Sequence, residues 1–190
     1  MIGGLVLAAG EGTRFGPEPK LCALLDGRPV LEHAVRAQCA VEELERVVVV
    51  LGAFSDRVLE CAELGRAEPV VCADWADGQS ASLRCGLEAL PGASKVIVTL
   101  GDEPLIAPET IRRFVAQPPG ARAVYGGRPG HPVVLGPDQI RALRGVSGDR
   151  GARDLLGGGP EIECSDLGSG RDVDTVRDLE ELHDEARAVL

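Results

Sequence analysis

Aromatic side chains are scarce in this chain: Phe15, Phe54, Trp75, Phe114 and Tyr125 make up only 3% of its 190 residues. A core with so few rings must be built from Val, Leu, Ile and Ala. The 44% hydrophobic content supplies enough of them for one compact α/β domain. Base stacking is accordingly expected to be a minor term in any nucleotide binding. Positive charge is also short, with 20 Lys and Arg against 30 Asp and Glu, for a formal net charge of -10 and a pI near 4.8. That excludes the broad basic face needed to neutralise a nucleic-acid backbone. Small phosphorylated ligands stay open, because charges more than about 8 Å apart are largely screened at physiological ionic strength and a local pair of cations then dominates.

The six cysteines (Cys22, Cys39, Cys61, Cys72, Cys85 and Cys164) include no CxxC pair and sit in apolar segments, which reads as reduced, buried thiols rather than a zinc or disulfide framework. The three histidines are far apart in sequence, so there is no local zinc signature. The N-terminal apolar run is short and has no basic leader, and is neither a signal peptide nor a membrane span. A cytoplasmic protein without membrane partners is expected.

The two common nucleotide-loop motifs are also missing. Gly10, Gly12 and Gly16 are spaced GxGxxxG, one residue longer than the dinucleotide fingerprint, and Glu45 precedes the second strand instead of closing it. A P-loop would need GxxxxGK before Ser or Thr, whereas Lys20 follows Pro19 and precedes Leu21. What is present is an apolar strand that runs into a small-residue loop, AAGEGTRFGPEPK, ending on a lysine. Small residues let backbone N–H groups approach phosphate oxygens closely, and Arg14 and Lys20 supply the compensating charge. The bland alternative is a solvated Arg and Lys in a surface loop.

Strand-like apolar runs cover 4–8, 46–51, 69–72, 95–100 and 121–125, and most are continuous rather than alternating, as strands covered on both faces should be. Helical patterns fill 29–39, 55–64, 80–90 and 108–115. This βαβα order predicts a doubly wound, largely parallel sheet. After Gly126, a turn and the run HPVVLG predict a strand returning antiparallel to its predecessor. Helices at 137–143 and 151–156, a strand at 161–164 and a helix from about 175 to 189 complete a single domain over 1–190.

Ligands of such sheets bind beyond the carboxyl ends of the strands, where three loops fall: 8–20, 74–82 and 101–104. Asp102, just past a buried strand, is the best hard oxygen ligand for Mg²⁺. Ser80 and Ser82 stand at a helix start, with N-capping as the ordinary role and a hydrogen bond to a base edge as the alternative for Ser82. His131 suits either the wall of an anionic-acceptor pocket or a packing role. His33 and His183 read as structural or solvated.

These segments together resemble the MobA-like nucleotidyltransferases. The loop is similar to LAAGxGxRxGxxK, with one position more before the lysine, and continues as LCALLDGRPVLEHAV; DGQSASLRCGL, VTLGDEPLI, GRPGHPVVL, GDRGARDLL and DVDTVRDL follow in register. LAAG, GHPV, GDRGAR and DVDT are most similar to the molybdenum-cofactor cytidylyltransferase branch. The resemblance implies a Rossmann-like three-layer α/β/α sandwich of the nucleotide-diphospho-sugar transferase type, with a mostly parallel mixed sheet and one antiparallel strand. It implies Mg²⁺ held by Asp102 and Asp174, although a cap or turn role stands equally for Asp174. It places the nucleoside triphosphate, CTP in preference to GTP, on Leu7, Ala8, Ala9, Gly10, Gly12, Thr13, Lys20, Gly78, Ser82 and Asp102. Arg14, Lys20 and Asp102 would be catalytic, and His131 would face a phosphorylated acceptor of molybdopterin type. Transient contact with a molybdoenzyme or its chaperone is also implied. Three departures stand out: Glu103 where the family has Gln, Ala81 in place of a serine, and one extra position between Arg14 and Lys20.

Overall fold

The computed structural model describes residues 1–143 and 159–188, with side chains described as far as residue 183 in the last helix. The central strand β1 (Ile2–Ala8) lies parallel between β4 (Arg46–Leu51) and β6 (Lys95–Leu100). In register, Ala8 pairs with Leu51 and Leu7 with Leu100. The carboxyl ends of these strands therefore share one edge of the sheet. Outward from β4 runs β5 (Glu68–Val71); outward from β6 run β8 (Arg128–Leu135), β7 (Arg122–Tyr125) and β9 (Glu161–Glu163). Of these seven strands β8 alone runs antiparallel, as the HPVVLG run predicts.

The continuous apolar strands are covered on both faces, because alternate side chains enter two separate cores. Val6, Ala8, Val49, Leu51 and Ile97 meet Leu31 and Val35 of α1 (Val30–Cys39), Val58 of α2 (Ser55–Cys61), and Ile111 and Phe114 of α4 (Pro108–Val115). Leu5, Leu7, Val48, Val50 and Val98 meet Leu83 and Leu87 of α3 (Gln79–Glu88) and Leu143 of α5 (Pro137–Leu143). Each fully buried Leu, Val or Phe contributes about 1.5–3 kcal/mol, so two such layers hold the sheet without many aromatics. A third, smaller cluster joins Leu25, Val30, Val173 and Leu182, which fastens the C-terminal helix α6 (Val176–Ala188) to the start of α1.

Several local readings differ from the structure. Between the loop and α1 lies an additional hairpin, β2 (Leu24–Leu25) and β3 (Arg28–Pro29), turned by Asp26 (φ 48°) and Gly27 (φ 78°). An Asp-Gly pair favours such a turn because both central residues adopt positive φ. The carbonyls of Leu25 and Leu24 meet the rings of His33 and His183 at 2.9 and 3.1 Å, so both histidines are structural. Helix α2 ends at Cys61 and not at residue 64, because Ala62 is extended and the Glu63 amide donates to Glu32 Oε1 at 2.8 Å. The cysteine expectation needs the clearest correction: Cys22 and Cys61 form a disulfide. Folding sets their Cα atoms 5.9 Å apart although 39 positions separate them, a proximity that no local spacing reveals. The other four are free thiols. The expected helix at 151–156 and the GDRGARDLL motif lie outside the described residues. Among the described residues no helix is long and apolar enough to cross a membrane.

Candidate active site

The shared carboxyl edge of β1 and β6 brings the first and third loops together. The Gly101 amide donates to the Leu7 carbonyl at 2.8 Å, and a Cβ at Gly101 would stand 2.9 Å from the Ala8 Cβ. Absence of that carbon lets the backbone around Asp102 lie against the end of β1. The Ala8 side chain points into the core below, whereas Ala9 packs towards Gly52 and Trp75. The loop then leaves the sheet: Thr13 and Arg14 are exposed, and Gly12 takes φ 62° with the Lys20 stem against it.

Lys20 is buried, on a short 3-10 turn (Lys20–Cys22) that follows the loop. Its Nζ donates to Asp102 Oδ2 at 2.5 Å and to Asp174 Oδ1 at 3.0 Å, and Arg14 reaches the other oxygen of Asp174 at 2.6 Å. Burial pulls the Lys20 pKa down, but the charge and hydrogen bonds of Asp102 and Asp174 push it up, and the carboxylates prevail. Residues separated by 154 positions thus meet in one cluster.

Asp174 arrives there because the Val173 amide donates to the Asp102 carbonyl at 2.9 Å. The capping alternative falls to its neighbours. Asp178 N–H donates to Thr175 Oγ1 at 3.2 Å, and Asp178 Oδ2 accepts from the Thr175 amide at 2.7 Å, a reciprocal capping box at the start of α6. The hydrogen bond from the Thr175 hydroxyl is the main reason that the Asp178 carboxyl is held below its usual value. Asp174 is left with its carboxylate on the cations.

Beside Asp102 opens a cleft of about 300 Å³ lined by Leu7, Ala9, Gly10, Trp75, Ala76, Gly78, Gln79, Ser82, Leu100 and Asp102. Six of the expected binding residues (Leu7, Ala9, Gly10, Gly78, Ser82 and Asp102) meet here, with Lys20 bonded to Asp102. Ala8, Gly12 and Thr13 do not line it. Gly78, at φ 107°, is the N-cap of α3, so Ser80 and Ser82 lie inside the helix and neither caps it. Ser82 faces the cleft, and Ser80 Oγ is buried without a hydrogen-bond partner. Trp75 and Gln79 are new to the site. A single tryptophan in the loop after β5 is the available signal, and the aromatic scarcity hides it.

His131 stands apart from this cleft. Its Nδ1 lies 3.0 Å from Glu103 Oε1, and its carbonyl accepts from the Tyr125 hydroxyl at 2.7 Å. Burial pulls the imidazole pKa down, Glu103 pushes it up, and the net shift is upward. Burial pushes the Glu103 carboxyl up, against the charge and hydrogen bond of His131. Glu103, where the resemblance implies glutamine, is therefore engaged by His131, and its Oε2 is buried with no hydrogen-bond partner.

Among the described residues no group of three or more His, Cys, Asp or Glu is placed to hold a metal ion. Two carboxylates converging on one cation are nevertheless the set that Mg²⁺ uses when waters and phosphates complete its octahedron. The Lys20 ammonium occupies that point of convergence, and Asp102 and Asp174 fit the group.

Residues 4–164 match the MobA-like NTP transferase domain. Nicotine blue oxidoreductase of Paenarthrobacter nicotinovorans is 35% identical over 94% of both chains. The bifunctional protein GlmU of Kineococcus radiotolerans is 42% identical over 64% of this chain, which spans a quarter (25%) of that protein. Among solved structures, Rv0371c of Mycobacterium tuberculosis superposes with a TM-score of 0.82 at 29% identity, covering 96% of this chain and 97% of its own. Rv0371c has also been solved in complex with manganese.

Proposed function

Because the chain belongs to the MobA-like NTP transferase family, we propose that it is a divalent-metal-dependent nucleotidyltransferase that passes a nucleoside monophosphate to a phosphorylated acceptor and releases pyrophosphate. The observation that carries this reading is the convergence of Asp102 and Asp174 on Lys20, with Asp102 itself lining the Trp75 cleft. Asp102 and Asp174 would hold Mg²⁺, which supplies neutralising charge for the α-phosphate and the departing pyrophosphate. Lys20 and Arg14 stabilise the same developing charge, more strongly in the transition state than in the ground state. Trp75, Gln79 and Ser82 offer a ring face and polar groups to the nucleobase. No general base is required, since a phosphate nucleophile is already ionised at pH 7, and positioning supplies much of the acceleration.

CTP is the proposed nucleotide, and a molybdopterin-type cofactor, met by His131, the proposed acceptor. GTP, and sugar or alcohol phosphates, are the runners-up. A carrier that binds without turnover would keep the cleft but has no need of the Lys20–Asp102–Asp174 cluster. Calorimetric titration with CTP, GTP, ATP and UTP, with and without Mg²⁺, followed by a pyrophosphate assay with candidate acceptors, tests the reading. Mg²⁺-dependent preference for CTP and pyrophosphate release are expected; binding without pyrophosphate release would favour the carrier.

A second reading comes from the relative named for oxidoreductase activity and similar along nearly its whole length. Under it, the cleft takes a nicotinamide dinucleotide. The missing dinucleotide fingerprint speaks against this. Loss of NADPH absorbance on addition of nicotine blue would decide in its favour.

A further inference from the structure

The Cys22–Cys61 disulfide sits two residues past the cation of the triphosphate loop. Lys20 opens the 3-10 turn and Cys22 closes it, and Cys22 is bonded to Cys61, the last residue of α2. The loop before this turn is largely exposed and is tied to the rest of the chain by the Arg14–Asp174 and Glu18–Arg57 ion pairs. A Cβ placed at Gly10 or at Gly16 would meet no atom within 4 Å, and residues 10–14, 16 and 17 are exposed or half-buried. Inside it, the Phe15 amide donates to the Gly12 carbonyl at 2.9 Å. Its two ends are β1, fixed by the sheet, and the 3-10 turn, fixed by Leu21 in the core, by the bonds of Lys20 to Asp102 and Asp174, and by the bridge to α2.

We propose that Cys22–Cys61 is a thiol–disulfide exchange site through which a dithiol reductant loosens the Lys20 end of the triphosphate loop and lowers affinity for the nucleotide. The chemistry is a two-electron exchange. One thiolate of the dithiol attacks a sulfur of the bridge, its second thiol resolves the mixed disulfide, and Cys22 and Cys61 leave as thiols carrying the two protons while the dithiol becomes a disulfide. A low-molecular-weight disulfide runs the exchange in reverse.

Three observations single out this pair. Both cysteines are half-buried, as are Cys39 and Cys85, whereas Cys72 and Cys164 are buried. Burial pushes the Cys39 and Cys164 thiols up and the Cys85 thiol up to about 11, which makes all three poor exchange partners. The bridge also acts on a functional segment: it limits the positions open to Lys20, so that less ordering is left for the nucleotide to impose.

The inference rests on the nucleotide-binding reading for its consequence but not for its structural half, and the experiment separates the two. The full chain is prepared with oxidised glutathione or with dithiothreitol, and free thiols are counted by alkylation and peptide mass. Hydrogen exchange is then followed at the amides of Cys22 and Ala23, which donate to the Pro19 and Lys20 carbonyls. Mg²⁺-CTP is titrated against the fluorescence of Trp75, the only tryptophan of the chain. Reduction is expected to open Cys22–Cys61, to speed exchange at both amides, and to weaken binding by about tenfold. The Cys22→Ser/Cys61→Ser double variant is expected to behave as the reduced protein whatever the redox condition. Failure of the pair to oxidise, or equal exchange and equal affinity in the two states, overturns the proposal. If no nucleotide binds in either state, the functional reading fails, while the exchange rates still decide whether the bridge holds the loop.

Discussion

Lys20 is a buried ammonium between two carboxylates, and the balance at that point governs what each substitution does. Removing one carboxylate leaves the cation with the other, so the fold should survive while the proposed metal site does not. Asp102→Ala is expected to lower pyrophosphate release on the order of a thousandfold with an unchanged circular-dichroism spectrum. Asp174→Asn should behave alike, whereas Thr175→Ala should leave turnover near normal; equal turnover in wild type and Asp174→Asn would remove Asp174 from the metal site. Trp75 invites a second prediction. Trp75 lines the cleft, and a base stacked on its ring would gain about 1–3 kcal/mol, so under the proposed function Trp75→Leu should raise the dissociation constant for the nucleotide roughly tenfold or more, read by calorimetry. Composition argues that stacking is a minor term, and this titration measures how much the one ring in the cleft contributes.

Helix α6 shows how an element is held to the site by its first turn. The Thr175 and Asp178 capping box satisfies amides that the helix itself cannot, and Thr175→Ala should cost about 1 kcal/mol of stability in urea denaturation. The Asp178 carboxyl is held below its ordinary value in the folded chain. Its contribution is therefore present in full above the unfolded value near 3.8 and is lost as pH falls through the lower folded value. The stability difference between wild type and Asp178→Asn should persist at neutral pH and shrink below about pH 3.8. On the other face of the sheet, a Cβ at Gly86 of α3 would lie 2.4 Å from Leu5 Cδ1 and 2.8 Å from Val50 Cγ2. Gly86→Ala should destabilise by about 1–3 kcal/mol through overpacking, measured by the same denaturation. Elements whose ends carry local signals are legible to the residue: Arg46–Leu51, Lys95–Leu100, and α4 with proline at its start. The end of α2 is not, because the groups that stop it come from α1.

For the molecule as a whole, the acidic surface and the cationic loop are separate matters. Arg14 and Lys20 are neutralised locally by Asp102 and Asp174, independently of the distant charge. The Cys22–Cys61 bridge closes a long stretch of chain, and for a separation of 39 positions the lost entropy of the unfolded chain corresponds to about 4 kcal/mol of stabilisation. Denaturation with and without dithiothreitol should show a loss of that order; no change would mean that the bridge does not form in solution. Local sequence is enough to dictate the layered α/β/α architecture, the antiparallel return of β8 and the loops that carry the site, because periodicity, glycine, proline and strand ends are properties of neighbouring residues. Packing in three dimensions was needed to join Lys20 to Asp174, to engage Glu103 with His131, to set Trp75 in the cleft wall and to bring Cys22 to Cys61. Each is a contact between segments far apart in the chain, and such contacts follow from how the layers stack.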